Sequence, residues 1–136
     1  MSYKFDPHYK EIASWEPDHF LGRQFPVRMP AEVIIEKGQN LAEGSILGKK
    51  PNGKYVLSAK SVTQEDGTEA PVDDGSEIPS RILSCPVDAR ASDMKAVAYR
   101  TGSYIKSGLT IGEGHTLDDM EEGLELRNIY FEEDTD

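Results

Sequence analysis

From Glu32 onward apolar residues come in short runs cut by glycine; before it they come as isolated aromatic residues cut by proline. Val33-Ile34-Ile35 is a β-branched run that predicts a strand, ended by the polar Lys37-Gly38-Gln39-Asn40. Leu41-Ala42-Glu43-Gly44 predicts a tight reversal, and Ser45-Ile46-Leu47-Gly48-Lys49 starts a second strand. Pro51-Asn52-Gly53 predicts a hairpin turn, because proline presets one torsion and Asn-Gly readily takes positive φ; Lys54-Tyr55-Val56-Leu57 then resumes a strand. The stretch between Ser61 and Pro79, with Gln64-Glu65-Asp66-Gly67-Thr68-Glu69 and Val72-Asp73-Asp74-Gly75-Ser76, is too polar for a core. It predicts a long surface loop or a pair of loops, with room for a small distorted strand. Ile82-Leu83-Ser84-Cys85-Pro86-Val87 is expected to return to the interior and to carry Cys85 there as a neutral thiol.

Lys95-Ala96-Val97-Ala98-Tyr99-Arg100 alternates, with Ala96, Ala98 and Arg100 on one face and Lys95, Val97 and Tyr99 on the other, which predicts a nearly central strand ending at Thr101-Gly102. Tyr104-Ile105 begins a segment that passes through Leu109-Thr110-Ile111 to Gly112-Glu113-Gly114. The run from Thr116 to Gly123 predicts a brief helix, with Thr116 as N-cap, Asp119 at its third position, acids in the first turn and Gly123 as terminator. Leu124, Leu126, Ile129 and Phe131 suggest a last strand or irregular run before the acidic tail Glu132-Glu133-Asp134-Thr135-Asp136. The sum is a mainly antiparallel β domain with one or two short helices and no fixed-period repeat.

The first 30 residues differ. They hold Tyr3, Phe5, Tyr9, Trp15, Phe20 and Phe25, six of the eleven aromatic residues, and four of the eight prolines: Pro7, Pro17, Pro26 and Pro30. Prolines at this spacing prevent a long helix and remove donors from a sheet, so residues 1–30 read as an extended N-terminal arm and 31–136 as the β-rich body with its acidic tail. Ordering about 25 residues costs on the order of 25–50 kcal/mol of backbone entropy, more than scattered rings return by themselves. The arm therefore needs a surface, either its own body or a neighbouring protein, and the six aromatic residues are its candidate anchors. Short strand additions would let its backbone pair with an edge while a ring fills a pocket.

Composition narrows the functional classes. At 136 residues the chain has the size of one domain. Its formal charge of −10 repels phosphate backbones, so no direct nucleic-acid partner is expected. The absence of an apolar run of 18 or more residues, or of a hydrophobic leader, argues against a membrane partner and against secretion by that route. A lone Cys85 allows neither an internal disulfide nor a metal-binding pair. His8, His19 and His115 lie in different segments. His115 near Glu113, Asp118 and Asp119 has the chemistry for a divalent ion or a base, and equally that of a turn histidine before an acidic cap, the simpler account. Ser45, Ser84 and Ser103 sit in no nucleophile elbow, Gly44-Ser45-Ile46-Leu47-Gly48-Lys49 lacks a phosphate-loop ending, and Asp73-Asp74-Gly75-Ser76-Glu77 does not match a calcium-binding series. No catalytic residue, metal or cofactor is assigned.

The corner Gly38-Gln39-Asn40-Leu41-Ala42-Glu43-Gly44 has the glycine spacing of swinging-arm carrier domains, but neither Lys54 nor Lys60 sits at a hairpin tip flanked by methionine. Taken in order, that corner with Ser45-Ile46-Leu47-Gly48-Lys49, Asn52-Gly53-Lys54-Tyr55, Asp74-Gly75-Ser76-Glu77-Ile78-Pro79-Ser80-Arg81-Ile82-Leu83, Val87-Asp88-Ala89 and Lys95-Ala96-Val97-Ala98-Tyr99-Arg100-Thr101-Gly102 resembles the tailed-phage head decoration proteins of the lambda D type, over about residues 31–111. The resemblance implies a compact, β-clip-like subunit forming homotrimers at three-fold sites outside an icosahedral capsid. It implies an N-terminal arm that gains order on the major capsid protein, although the arm residues match no family motif position by position. The function so implied is a non-enzymatic cement on the outer surface of the virion head, stabilising the expanded shell against DNA pressure. The acidic 113–136 region departs from a short family member. A small β-sandwich-like glycan or receptor binding module, or a metal-dependent hydrolase, are the alternatives.

Overall fold

The computed structural model describes residues 20–23 and 25–133. The β-branched run at 33–35 does form a strand, β1 (Pro30–Ile35), followed by β2 (Asn40–Leu41), β3 (Ile46–Lys49), β4 (Tyr55–Leu57), β5 (Ser61–Thr63), β6 (Glu69–Pro71), β7 (Pro79–Leu83), β8 (Val87–Asp88), β9 (Met94–Tyr99) and β10 (Gly102–Ile105). A 3-10 turn (Lys106–Gly108), one helix, α1 (Leu117–Glu125), and β11 (Ile129–Glu132) complete the order. Among the described residues no helix is long and apolar enough to cross a membrane.

Five strands close into a barrel in the order β1-β4-β3-β7-β9, leaving three two-stranded sheets, β10-β11, β2-β8 and β5-β6. The fold is mainly β, as expected, with a β-clip-like compactness. Most pairs are antiparallel, but β1 runs parallel to β4 through Ile35↔Tyr55, and β10 runs parallel to β11 from Gly102↔Ile129 to Ile105↔Glu132. The 50–54 hairpin closes where Pro51-Asn52-Gly53 predicts it, with Lys50 N–H donating to the Lys54 carbonyl (2.8 Å) and Gly53 N–H to the Lys50 carbonyl (2.9 Å). The polar 61–79 stretch, expected as loops with room for one small strand, holds two short strands paired from Ser61↔Pro71 to Thr63↔Glu69.

β9 is flanked by β1 on one side and β7 on the other, so the alternating segment is an interior strand of the barrel. Its register with β1 sets Val33 opposite Ala96 and Ala31 opposite Ala98. The two alanines of β9 point inward and are buried, while Val97 faces outward. Small residues there leave room for Val33, Ile35, Leu41, Leu47, Tyr55, Leu83 and Val87, which fill the barrel. Burying each larger aliphatic side chain contributes roughly 1.5–3 kcal/mol.

β3 and β7 bury both faces. Leu47 and Leu83 point into the barrel, while their neighbours Ile46 and Ile82 point out into a second cluster with Phe20, Tyr104, Met120, Leu124 and Ile129. Two covered faces explain why Ile46-Leu47 and Ile82-Leu83 are consecutive apolar pairs and not alternating ones. Gly44 permits this second layer to approach: its φ is +82°, and a Cβ there would stand 2.3 Å from the Gly108 carbonyl oxygen. Gly44 also donates to the Leu83 carbonyl (2.9 Å) and accepts from Thr110 N–H (3.1 Å), tying barrel to turn.

Three local expectations are corrected. Cys85 is exposed, not interior, because β7 ends at Leu83 and Ser84 turns outward, its N–H and hydroxyl both donating to the Val97 carbonyl. Val87 and Ala89 carry the chain back inside. Gly123 does not end α1, which continues to Glu125 because Leu124 is seated in the second cluster; the reversal comes at Asn128, with φ +65°. Leu126, grouped with the last apolar run, lies outside that layer and is exposed.

Candidate functional site

The chain segment leading into β1 is the part of the molecule that mixes aromatic residues with unpaired surface. Tyr3, Phe5, Tyr9 and Trp15 lie outside the described residues. Phe20 does not: it is fully buried, stacked on Tyr104 with ring centroids 6.1 Å apart and planes 5° apart, and 6.5 Å from Tyr99. Aromatic pairs in this range add about 0.5–1.5 kcal/mol beyond the area they bury. Phe20 is therefore an anchor on the protein's own body, one of the two surfaces open to the arm.

The backbone fixes that anchor from both sides. Ile105 N–H donates to the Phe20 carbonyl, Gly22 N–H donates to the Ser103 carbonyl (both 2.9 Å), and Leu21 bridges Tyr104 in antiparallel sense. Residue 22 has no space for a side chain, since a Cβ would lie 2.2 Å from the Glu132 carboxylate. Glu132 accepts from the Ser103 hydroxyl and from Arg23 N–H. The Ser103 hydrogen bond holds its carboxyl below the ordinary glutamate range, helped by the Arg23 N–H and charge and opposed by burial. Beneath it the Tyr104 hydroxyl donates to the Thr101 carbonyl (2.6 Å), and burial pushes that phenol well above its usual range, so it stays neutral.

Past Arg23 the segment changes character. The Phe25–Pro26 peptide is cis, the chain bends at Pro26, and residues 27–29 lead into β1. Thr101 clamps this run: its hydroxyl donates to the Val27 carbonyl (2.6 Å) and accepts from Met29 N–H (3.3 Å), while Arg100 N–H donates to the Met29 carbonyl (2.8 Å). Alternate side chains then face solvent: Phe25 is 75% exposed, Val27 59% and Met29 50%. Sequence reasoning named Phe25 but missed Val27 and Met29; the signal was the period-two spacing 25, 27, 29.

The residues considered for catalysis are otherwise engaged. His115 Nε2 donates to the Glu77 carbonyl (2.9 Å) and its Nδ1 lies 3.0 Å from Asp119 Oδ1, so both ring nitrogens are taken within the chain. Asp119 also accepts from Thr116 N–H (2.8 Å) while the Thr116 hydroxyl accepts from Asp119 N–H (3.1 Å), a reciprocal capping box. Burial pushes the Asp119 carboxyl up, but the Thr116 N–H and the His115 imidazole together outweigh it and hold the carboxyl below the usual aspartate range. Asp74 accepts from Ser76 N–H (3.0 Å) and hydroxyl (2.6 Å) in a local turn. Among the described residues no group of three or more His, Cys, Asp or Glu is placed to hold a metal ion.

The segment thus combines a root locked in the core, a backbone held by Thr101 and a row of exposed apolar side chains. No curated protein matches the chain. The family model described as "Bacteriophage lambda head decoration protein D" matches residues 14–125. With that match covering most of its length, the chain belongs to the lambda head decoration protein D family of non-catalytic capsid decoration proteins.

Proposed function

We propose that this protein trimerises on the outer surface of the mature phage head and cements the expanded shell against the pressure of packaged DNA, with the major capsid protein as its partner. The observation that carries the reading is the row Phe25, Val27 and Met29, exposed on a run that Phe20 and Thr101 hold against the body. A pre-ordered run loses less conformational entropy on docking than a free tail. The sequence before it, with Tyr3, Phe5, Tyr9 and Trp15, carries the same apolar chemistry.

Stabilisation is by mass action. A protein that binds the expanded shell more tightly than the immature one shifts the population toward the expanded form, and no substrate bond is made or broken. Three arms on one trimer make attachment multivalent, so that release of one arm leaves the others in place. The test removes residues 1–18, which keeps Phe20 in its seat, and measures occupancy of expanded heads at limiting protein. Occupancy is expected to fall at least tenfold; unchanged occupancy would overturn the arm's role.

A further inference from the structure

A second feature lies away from the arm. Lys49, Ile78, Ser80, Arg81 and Arg127 surround Tyr55 in a cleft of about 260 Å³ between the barrel and the end of α1. Arg81 lies over the Tyr55 ring, 5.7 Å from its centroid, and its Nη1 donates to the Ser80 carbonyl (3.0 Å). Two polar atoms in this wall are buried and have no partner: Arg81 Nε and Ser80 Oγ, the latter on a residue only 7% exposed. Orphaned buried groups of this kind are rare in native proteins and costly to leave unpaired.

Lys49, Arg81 and Arg127 hold no carboxylate among the described residues; Lys50, Lys54, Arg90 and Lys106 each do, while other surface cations such as Lys60 and Lys95 also have none, so it is the sharing of one cleft by three cations that sets these apart. A chain with 25 acids and 15 bases has no shortage of carboxylates to neutralise three cations that line one cleft. Concavity, three cations in one lining and two orphaned polar atoms together suit the cleft to an anionic group. A guanidinium fork suits a carboxylate, and the half-exposed Ile78 at the rim adds apolar contact that a side chain uses and a free inorganic anion does not.

We propose that the cleft is closed by an Asp or Glu side chain of a second copy of this chain. The inference rests on the trimeric reading above. In a cyclic assembly each interface joins two different patches, so a basic cleft on one copy meets an acidic surface on the next. Copies that each carry −10 repel, and a charge-complementary contact is what offsets this locally. The acidic surplus supplies the complement on the same chain.

The test is carbodiimide crosslinking of the full chain on expanded heads, which joins an activated carboxylate to the Lys49 amine as an amide, followed by peptide mapping. The expected product is a band of twice the chain mass, carrying Lys49 joined to an acidic peptide of a second copy. Its yield is expected to fall at least tenfold in Arg81→Gln/Arg127→Gln, and in Arg127→Gln alone should the double variant fail to fold. Lys49 joined to the major capsid protein or only within its own chain, no Lys49 product, or an undiminished yield in the folded variant, would each overturn the proposal. Head occupancy is scored separately: heads that take up no protein count against the decoration reading, and the same crosslink on the concentrated free chain then decides the cleft.

Discussion

Phe20 and Phe25 stand five residues apart in one proline-broken segment, yet the first is sealed between Tyr99 and Tyr104 while the second is 75% exposed. Both are phenylalanines in a stretch with no regular secondary structure. What separates them is the receiving surface: Phe20 meets β10 and the second cluster with backbone hydrogen bonds on each side, whereas Val27 and Met29 are held through their backbone by Arg100 N–H and the Thr101 hydroxyl and leave their side chains outside. Similar side chains thus perform opposite tasks, one holding the segment to the body and the other presenting it.

The sharpest way to break this comparison is to exchange the two roles by mutation. Phe20→Ala is expected to lower stability by about 3–5 kcal/mol, the range for a buried aromatic residue, measured by denaturant unfolding of the full chain. Leu47→Ala, inside the barrel and not in the aromatic layer, is expected to cost about 2–5 kcal/mol and tests whether the layer is as strongly coupled to the fold as the barrel is. Thr116→Ala removes the hydroxyl half of the capping box and is expected to cost about 1 kcal/mol, read as a lower thermal midpoint.

Acid sharpens the comparison at the root of the segment. Because Glu132 has a lowered folded-state pKa, its contribution is complete above the unfolded-state value and is lost as pH falls through the folded-state one. The stability difference between wild type and Glu132→Gln is therefore expected to be constant near neutrality and to shrink below about pH 4. Stability curves that stay parallel down to pH 2 or so would show that Glu132 does not hold Arg23 and Ser103 as a carboxylate. The smallest expected stability effect is that of Phe25→Ala, within about 0.5 kcal/mol of wild type. The same variant is expected to reduce occupancy of expanded heads, and loss of folding stability without loss of occupancy would reverse the roles assigned to the two phenylalanines.

Local signals read from residue order carried over well where neighbours in sequence are also neighbours in space. The Pro51-Asn52-Gly53 turn, the Thr116 to Asp119 capping box and the alternation through Ala96 and Ala98 each depend on a few adjacent residues. Cys85 shows the limit. Its apolar neighbours suggested burial, but the hydrogen bonds of Ser84 to Val97 turn that corner outward, and Val97 is distant in sequence. Gly123 shows the same limit at a helix end: a glycine that reads as a stop is carried through because Leu124 has a place in a core assembled from β3, β7, β10 and β11.

The candidate surface was half legible. An aromatic, proline-rich segment is visible in composition, and Phe25 was named within it; that Phe25, Val27 and Met29 are exposed required the structure, in which Thr101 holds the backbone of Val27 and Met29. The anion cleft was invisible, since Lys49, Arg81 and Arg127 are separated by 32 and 46 positions and are otherwise ordinary surface cations.

Residue order alone determined a β-rich chain with its turns, its capped helix, its acid surplus and the family to which its segments belong, because those properties are set by local torsional preference and by composition. Which faces are covered twice, where Phe20 goes, and which cations line one cleft were decided by the folded arrangement. Those outcomes depend on contacts between residues far apart in the chain, whose free energy exists only once barrel closure has brought them together.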